Sequence, residues 1–322
     1  MSQNVTSVGR LDACQVRSAL DAAVLAPSTH NTQPWLFRCT PAGIELLADP
    51  DRALPVADPD RRELLLSCGA ALFNLRTAIH ALGTNATTTL LPRRTEPGVL
   101  AVVRPISARR PDPRLVRLAL AIPHRHTNRA PFSAAAVPPS AEADLRRAAE
   151  SEQAWLPRLG SPQIHDLREL VRESHQAQIA DPAFLVERSH WTGRDRGSRD
   201  GVPAGPATAD DAEWMLRDSG SADGVDEPLV VVIGSFGDQR ADRLRAGQAM
   251  QRVLLTATAA GLAASFLPQP VEVAPMRAEL RRLVGGGLWP QIVLRFGVAT
   301  PAPKTARRPL ADVMLGPLRI PA

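Results

Sequence analysis

A ten-residue segment, residues 26–35, combines hydroxyl, amide and aromatic side chains in the run Ala-Pro-Ser-Thr-His-Asn-Thr-Gln-Pro-Trp. Ser28, Thr29 and Asn31 have short polar side chains, which bond either to nearby backbone or to a ligand. Together with Gln33 they supply the donors and acceptors that a flat heterocycle with carbonyls and ring nitrogens needs. A capped helix end followed by a turn would explain Pro-Ser alone, but the whole run favours a ligand-binding loop.

Two prolines fix the ends of this loop. Pro27 ends a helix that the apolar spacing predicts over residues 11–25, and Pro34 holds the residue before it extended. Trp35 then begins a strand-like run over residues 35–39. The loop is therefore expected to be pinned between a helix and a strand.

The second chemical motif is basic and lies at residues 125–129, Arg-His-Thr-Asn-Arg. Arg125 and Arg129 carry forked donors, and Thr127 carries a hydroxyl between them, which is the set that clamps a phosphate dianion. For these residues alone, an exposed turn with solvated arginines is the simpler interpretation. The histidines on either side of Arg125 lack a third ligand nearby, so no metal site is predicted.

A second cationic cluster follows the last predicted strand and contains Lys304, Arg307 and Arg308. A disordered basic tail is one interpretation of it. The apolar residues Leu310 and Val313 favour the other, which is a segment that packs back onto the protein.

Composition excludes several classes of function. The 322 residues are 44% hydrophobic, enough for a sizeable core, and the net charge is only +5. No Lys/Arg block with interleaved aromatics is present, so we expect no nucleic-acid partner. The first residues are polar and no apolar run approaches a membrane span, so we expect a cytoplasmic protein without a membrane anchor.

The three cysteines, Cys14, Cys39 and Cys68, are widely spaced and form no C-x-x-C or Cys/His set. This usage predicts buried small hydrophobic residues in a reducing compartment.

Two long helices, residues 61–82 and 240–262, are predicted by the hydrophobic pattern and share a frame of small residues. In each, a Gly-x-Ala motif, beginning at Gly69 and at Gly247, is followed at the same interval by a second glycine. Small residues permit close helix packing, and a late glycine is a common helix C-cap. The match is a weak repeat signal by itself, but it predicts that the chain is built twice.

Strand patterns flank both long helices, at residues 43–48, 99–106, 229–235 and 291–298. Shorter helices are predicted at residues 113–121, 140–150 and 163–180. The alternation of strands and helices predicts a layered α+β or α/β architecture. Residues 181–224 lack periodicity and contain Trp191 and Trp214, which favours a lid over a disordered segment.

With these motifs placed, the spacing Pro-Ser-x-x-Asn-x-Gln-Pro-Trp resembles the flavin-contacting loop of the nitroreductase family. Residues 125–129 resemble the Arg-x-Ser-x-Arg phosphate motif of that family. Residues 307–313 are similar to its closing Arg-Pro-Leu-x-x-Val segment, whose arginine also reaches the FMN phosphate. Residues 247–270 look like the region whose backbone faces the flavin ring.

The chain departs from an ordinary member of this family, in which FMN lies at a homodimer interface. The first half, residues 1–120, has the ring loop without a clamp before it. The second half, residues 121–322, has the clamp, but only Gln-Ala-Trp-Leu-Pro at residues 153–157 where its own loop would fall. The two halves together make one complete site, which resembles the Acg-type branch, where a fused tandem mimics the dimer within a monomer.

This resemblance implies an α+β nitroreductase-like fold of two tandem, pseudo-symmetric halves, each a mostly antiparallel sheet flanked by long helices, with residues 181–224 as a lid-like insertion. It also implies one FMN per monomeric chain. The residues implied to contact FMN are Pro27, Ser28, Thr29, His30, Asn31, Gln33, Arg125, Thr127, Arg129, Pro268, Gln269, Arg307 and Arg308.

The implied activity is an NAD(P)H-dependent oxidoreductase that acts on small aromatic acceptors, either nitroaromatics or quinones. One alternative is a non-catalytic protein that stores or sequesters FMN under a closed lid. A second is a relative of the enzymes in the superfamily that fragment reduced FMN. The sequence does not decide between NADH and NADPH.

Overall fold

The computed structural model describes residues 7–195, 197–204, 228–300 and 304–316. Its strands, numbered in chain order, are β1 (Ser7–Val8), β2 (Leu11–Asp12), β3 (Trp35–Thr40), β4 (Gly43–Ala48), β5 (Thr84–Leu90), β6 (Val99–Ala108), β7 (Thr192–Arg194), β8 (Val202–Pro203), β9 (Leu229–Ser235), β10 (Ala263–Leu267) and β11 (Trp289–Gly297). Its α-helices are α1 (Ala13–Ala23), α2 (Arg62–Ala81), α3 (Pro113–Ala121), α4 (Pro139–Glu150), α5 (Ser161–Ile179), α6 (Pro182–Trp191), α7 (Arg240–Ala259), α8 (Gln269–Glu272) and α9 (Ala274–Leu283).

The two main sheets have the same strand order. The first is antiparallel with the order β3-β4-β6-β5. The second is antiparallel with the order β9-β11-β10, which corresponds to the β4-β6-β5 part of the first. Residues 155–158 extend the second sheet, because Trp155 pairs with Gly234 and Arg158 pairs with Val231 in antiparallel bridges to β9. These residues therefore occupy in the second sheet the position that β3 occupies in the first.

The backbone repeats this correspondence just before each of these edge segments. Gln33 and Gln153 both have positive φ angles, 53° and 60°, and each is followed two residues later by the Trp-Leu pair that enters the sheet. A residue with a Cβ adopts this left-handed conformation only at an energetic cost. The two turns therefore share a left-handed residue at the matching position, two residues before the tryptophan.

The two long helices pack against each other and against their own sheets. They cross where Gly69 of α2 meets Gly247 of α7. A Cβ built on Gly69 would lie 2.9 Å from the Cα of Gly247, and one built on Gly247 would lie 2.9 Å from the carbonyl carbon of Leu66. The glycines therefore allow the backbones to touch, and the predicted close approach of two small-residue faces is observed.

Helix α2 is the one helix in the described residues that is long and apolar enough to cross a membrane. In this structure, 83% of its most apolar window is buried inside the protein. Its apolar residues contact the first sheet and α7, as those of a core helix do.

Several sequence-based expectations need correction. Residues 182–191 form helix α6 and residues 192–194 and 202–203 form short strands, so the first part of the expected loop at 181–224 is regular structure. Trp214 and residues 205–224 lie outside the described residues. Strands β5 and β10 were not predicted, because the threonine-rich and small-residue sequences there lack a clear apolar alternation. Cys14 is exposed rather than buried.

Candidate functional site

The loop between α1 and β3 is held in an unusual backbone conformation. His30, Asn31 and Gln33 have φ angles of 47°, 55° and 53°, all in the left-handed region. The backbone N–H of Gln33 donates to Ser28 Oγ at 2.9 Å, which ties the two ends of the turn together. Such conformations persist only where the surroundings enforce them, and they concentrate at ligand sites.

A cavity with about 1150 Å³ of empty space, part of it open to solvent, lies beside this loop. It draws on three segments that are far apart in the sequence: the loop, the basic motif at 125–129 and the start of α8. The predicted residues that line it are Pro27, Ser28, Thr29, His30, Thr127, Arg129, Pro268 and Gln269. The fold therefore brings together most of the predicted site.

Two predicted amide side chains point elsewhere. Asn31 Nδ2 donates to the carbonyl oxygen of Gly201 at 3.1 Å, and Gln33 Nε2 donates to that of Arg199 at 2.9 Å. Gln33 Oε1 also accepts the backbone N–H of Arg308 at 2.8 Å. These side chains are not among the cavity residues, and they attach the loop to the segment after α6.

Arg308 is also engaged by the protein. Its Nη1 lies 3.2 Å from Asp49 Oδ2 and its Nη2 donates to the carbonyl oxygen of Asp312 at 2.6 Å. These contacts pack the C-terminal segment against β3 and the loop, as the apolar residues Leu310 and Val313 suggested; both are buried. Arg308 braces the site without lining the cavity.

Arg125 is the most unusual cation of the site. It is only 4% exposed, and its Nε and Nη1 have no hydrogen-bond partner among the described residues. Burial, and then the nearby charge of Arg307, lower its pKa to about 9. Burial alone lowers the pKa of Arg307 to about 10. Arg307 donates to the carbonyl oxygens of residues 26, 305 and 306 at 3.0–3.2 Å. Among the described residues neither guanidinium has a carboxylate partner, so an anionic ligand such as a phosphate would neutralise both charges.

The basic motif is anchored to the second sheet beside these arginines. Thr127 forms a parallel bridge with Ala264 of β10, and the backbone N–H of Asn128 donates to the Ala264 carbonyl oxygen at 2.7 Å. Thr127 and Arg129 face the cavity on the same stretch. The position of the motif is therefore set by the sheet rather than by a mobile turn.

Several cavity residues were not predicted. Pairs or triplets at helical spacing come from α2, α5 and α6, two adjacent residues come from β10, and single residues come from the basic motif, α7, α8 and β11. They are Glu63, Leu66, Ser67, Asn128, His175, Gln178, Phe184, Arg188, Met250, Ser265, Phe266, Glu272 and Ile292. The spacing marks each set as one helix face, but only tertiary packing decides which face meets a cavity.

His30 contributes a neutral side chain to this cavity. Burial, then the charges of Arg188 and Arg129, lower the pKa of its imidazole to about 4. It therefore carries no charge near pH 7 and can both donate and accept a hydrogen bond. The positive charge beside His30 belongs to Arg129 and Arg188.

An acidic group supports the start of α2. Asp58 accepts the backbone N–H groups of Glu63 and Leu64 at 3.0 and 2.9 Å, and so caps the helix. Burial, and then the nearby Glu63, raise the pKa of Asp58 to about 6. Among the residues that the structure describes, no group of three or more His, Cys, Asp or Glu side chains is placed to hold a metal ion.

Comparison with known proteins identifies the family. "Putative NAD(P)H nitroreductase Rv3131" of Mycobacterium tuberculosis is 36% identical over 324 residues, which cover 95% of this chain and 92% of the relative. "Putative NAD(P)H nitroreductase acg" of the same organism is 32% identical over 318 residues, which cover 92% and 94%. The chain belongs to the nitroreductase family, and its helices and antiparallel sheets confirm the predicted α+β nitroreductase-like fold.

No protein-family model matches the sequence. Among solved structures, the FMN-dependent nitroreductase NfnB from Mycobacterium smegmatis in complex with NADPH is 16% identical, with a TM-score of 0.41. The match covers 62% of this chain and 97% of that one.

Proposed function

We propose that the chain binds FMN in this cavity and acts as an NAD(P)H-dependent oxidoreductase on nitroaromatic or quinone acceptors. The observation that carries the proposal is the buried Arg125, whose Nε and Nη1 have no hydrogen-bond partner among the described residues, beside Arg307. Neither arginine lines the cavity, but Arg125 lies two residues before the lining residue Thr127, and Arg307 Nε donates to the carbonyl oxygen of residue 26 at 3.2 Å, next to the loop at residues 27–30 that lines it. Bound FMN supplies two-electron transfer between a nicotinamide and an acceptor.

Each group of site residues has a defined task in this proposal. Arg125 and Arg307 neutralise the FMN phosphate, and Thr127 and Arg129 hold it from the cavity side. Residues 27–30 contact the ring system and exclude water from one side of it. The backbone near Pro268 and Gln269 lies along the cavity wall, where it can donate to a ring nitrogen.

We also propose that the two halves, residues 1–120 and 121–322, are tandem repeats that build one composite site. The matching strand orders, the positive φ at Gln33 and Gln153 and the Gly69–Gly247 crossing support this arrangement. The first half supplies the loop and the second supplies Arg125. A monomer then contains the complete site. The cytoplasmic location stays a prediction.

Purified protein is expected to be yellow and to bind close to one FMN per chain. Only one ring loop and one phosphate clamp are present, so a second equivalent site has no ligand set. Flavin released by denaturation is quantified against protein concentration, and light scattering measures the molar mass. Two FMN per chain, or an obligate dimer with flavin between subunits, would contradict the composite site.

The alternative of FMN storage is favoured by the contacts of the segment that follows α5. Phe184 and Arg188 of α6 line the cavity, and the carbonyl oxygens of Arg199 and Gly201 accept hydrogen bonds from the loop. Glu187 also accepts the backbone N–H groups of residues 56 and 57 at 3.1 and 2.8 Å. A segment held this way could exclude a nicotinamide, so reduction by NAD(P)H separates the two functions.

A further inference from the structure

Two carboxyl side chains that have no task in the proposed flavin site line one wall of the cavity. Glu63 lies in the first turn of α2, and Glu272 lies at the end of α8. Arg62 donates to Glu63 Oε1, and Thr29 Oγ1 donates to Glu63 Oε2 at 3.1 Å. Both oxygens of Glu63 therefore have donors that stabilise its negative charge.

Glu272 has a different environment. Its Oε2 accepts a hydrogen bond from Gln178 Nε2 at 2.7 Å, and no arginine donates to its carboxylate as Arg62 does to Glu63 in the described part of the chain. Burial, and then the charge of Glu63, raise the pKa of Glu272 well above the usual range of a carboxyl group. The other charged or titratable groups around this wall are Asp58, Arg62, His175 and Arg188. Glu272 therefore keeps a proton under conditions where an exposed glutamate has lost it.

A second side chain of the same helical turn also lacks a partner. Gln269 precedes Glu272 by three residues, lines the cavity and is only 7% exposed. Its Oε1 is buried without a hydrogen bond from any described residue. Buried acceptors are almost always satisfied, so this one indicates a bound molecule that can donate to the wall, as the O–H group of a hydroquinone product can. Residues three apart on a helix share a face, which places both side chains toward that ligand.

We infer that Glu272 is the proton donor of the cavity and protonates an acceptor of the quinone class as the acceptor is reduced. The inference rests on the proposed oxidoreductase function. The quinone receives one hydride, which consists of two electrons and one proton and originates from the reduced nicotinamide. The O–H bond of Glu272 breaks, an O–H bond forms on the quinone oxygen, and the product is the hydroquinone. Water then returns a proton to the Glu272 carboxylate.

The first test is made on the protein without flavin. Infrared difference spectra between about pH 7.5 and pH 10, a range that lies above the titration of Asp58, are expected to show loss of a protonated-carboxyl band in wild type. The band should be missing in Glu272→Gln and present in the control Glu173→Gln, which changes an exposed glutamate on α5. A wild-type spectrum identical to that of Glu272→Gln would overturn the inference.

The second test uses FMN-loaded protein that has been reduced chemically with dithionite and is then mixed with benzoquinone. Removing a general acid slows such a step by about 100-fold or more, so Glu272→Gln should be slowed by this factor at neutral pH. In wild type and Glu173→Gln the rate should fall as pH rises, whereas in Glu272→Gln it should be flat. Glu272→Asp, which keeps a carboxyl, should retain the pH dependence.

Equal rates and equal pH profiles in Glu272→Gln and Glu173→Gln would also overturn the assignment of Glu272. Failure of the proposed function has a different signature. If neither NADH nor NADPH reduces the flavin, the oxidoreductase proposal fails, while the infrared and dithionite measurements still report on Glu272.

Discussion

Arg125→Met is expected to weaken FMN binding by about 30-fold to several thousand-fold while raising the thermal stability of the protein without flavin. Truncating one partner of a buried charge pair costs about 2–5 kcal/mol of binding free energy, which corresponds to that range. Riboflavin lacks the phosphate, so its affinity should change much less. The ratio of the two affinities therefore reports on the clamp itself.

The opposite sign on stability follows from the environment of Arg125. Its side chain is 4% exposed, and Nε and Nη1 have no partner among the described residues. Without an anion, a buried charge of this kind destabilises the folded state, and an apolar side chain of similar length relieves that cost. Binding and melting are measured in buffers without phosphate or sulfate, which would occupy the same cations.

Arg110→Met is the matched control, because Arg110 is exposed and lies outside the cavity. It should change neither flavin affinity nor melting temperature. Equal losses of FMN and riboflavin affinity in Arg125→Met would show that Arg125 does not hold the phosphate. A fall in stability of the flavin-free protein would show that the guanidinium has a structural partner.

Gly247→Ala is expected to destabilise the protein by about 3 kcal/mol or more, the upper range for overpacking a core. The new Cβ would meet backbone atoms of Leu66, which cannot rotate away as a side chain could. The helices α2 and α7 would have to separate. Leu66 and Met250 line the cavity, so this separation should also weaken flavin binding.

Helix propensity alone predicts that Gly247→Ala stabilises the protein, so the sign of the stability change distinguishes it from the effect of the backbone clash. Alanine favours a helix interior over glycine by about 1 kcal/mol, so an uncrowded position would become more stable. Urea denaturation measures the sign. Gly98→Ala is the control, since a Cβ there would meet no atom within 4 Å. Increased stability of Gly247→Ala would contradict the close crossing on which the composite site depends.

The two chemical motifs could be predicted because their information is local. Pro27 and Pro34 bound the loop, and two arginines spaced around a threonine form a donor set by themselves. The extended conformation expected for Gln33 before Pro34 was wrong: its φ is 53°, and its N–H and side chain bond to Ser28, Arg199 and Arg308. Gly69 and Gly247 were predictable for a similar reason, since a small-residue face on a long helix has few other uses. Sequence reasoning thus identified three of the segments that build the cavity, and it missed the faces of α2, α5 and α6 that also line it.

Sequence reasoning could not predict contacts between residues that are far apart in the chain. Asn31 and Gln33 bond to residues 199–201, which no local pattern connects with the loop. The sequence of α6 predicted a loop because its apolar residues Phe184, Leu185 and Val186 are consecutive and do not follow helical spacing. In the structure Leu185 and Val186 are exposed. Its Asp181 cap, which accepts the N–H of Ala183 at 2.9 Å, was the available signal.

The central claim is that this chain passes electrons from a nicotinamide to a flavin, and anaerobic stopped-flow reduction tests it most directly. Protein loaded with FMN is mixed with NADPH or NADH, and the absorbance of the oxidised flavin is followed. The proposed oxidoreductase predicts complete bleaching by at least one of the two, at a rate that saturates with nicotinamide concentration. Bleaching by dithionite but by neither nicotinamide would contradict it and leave FMN storage as the function.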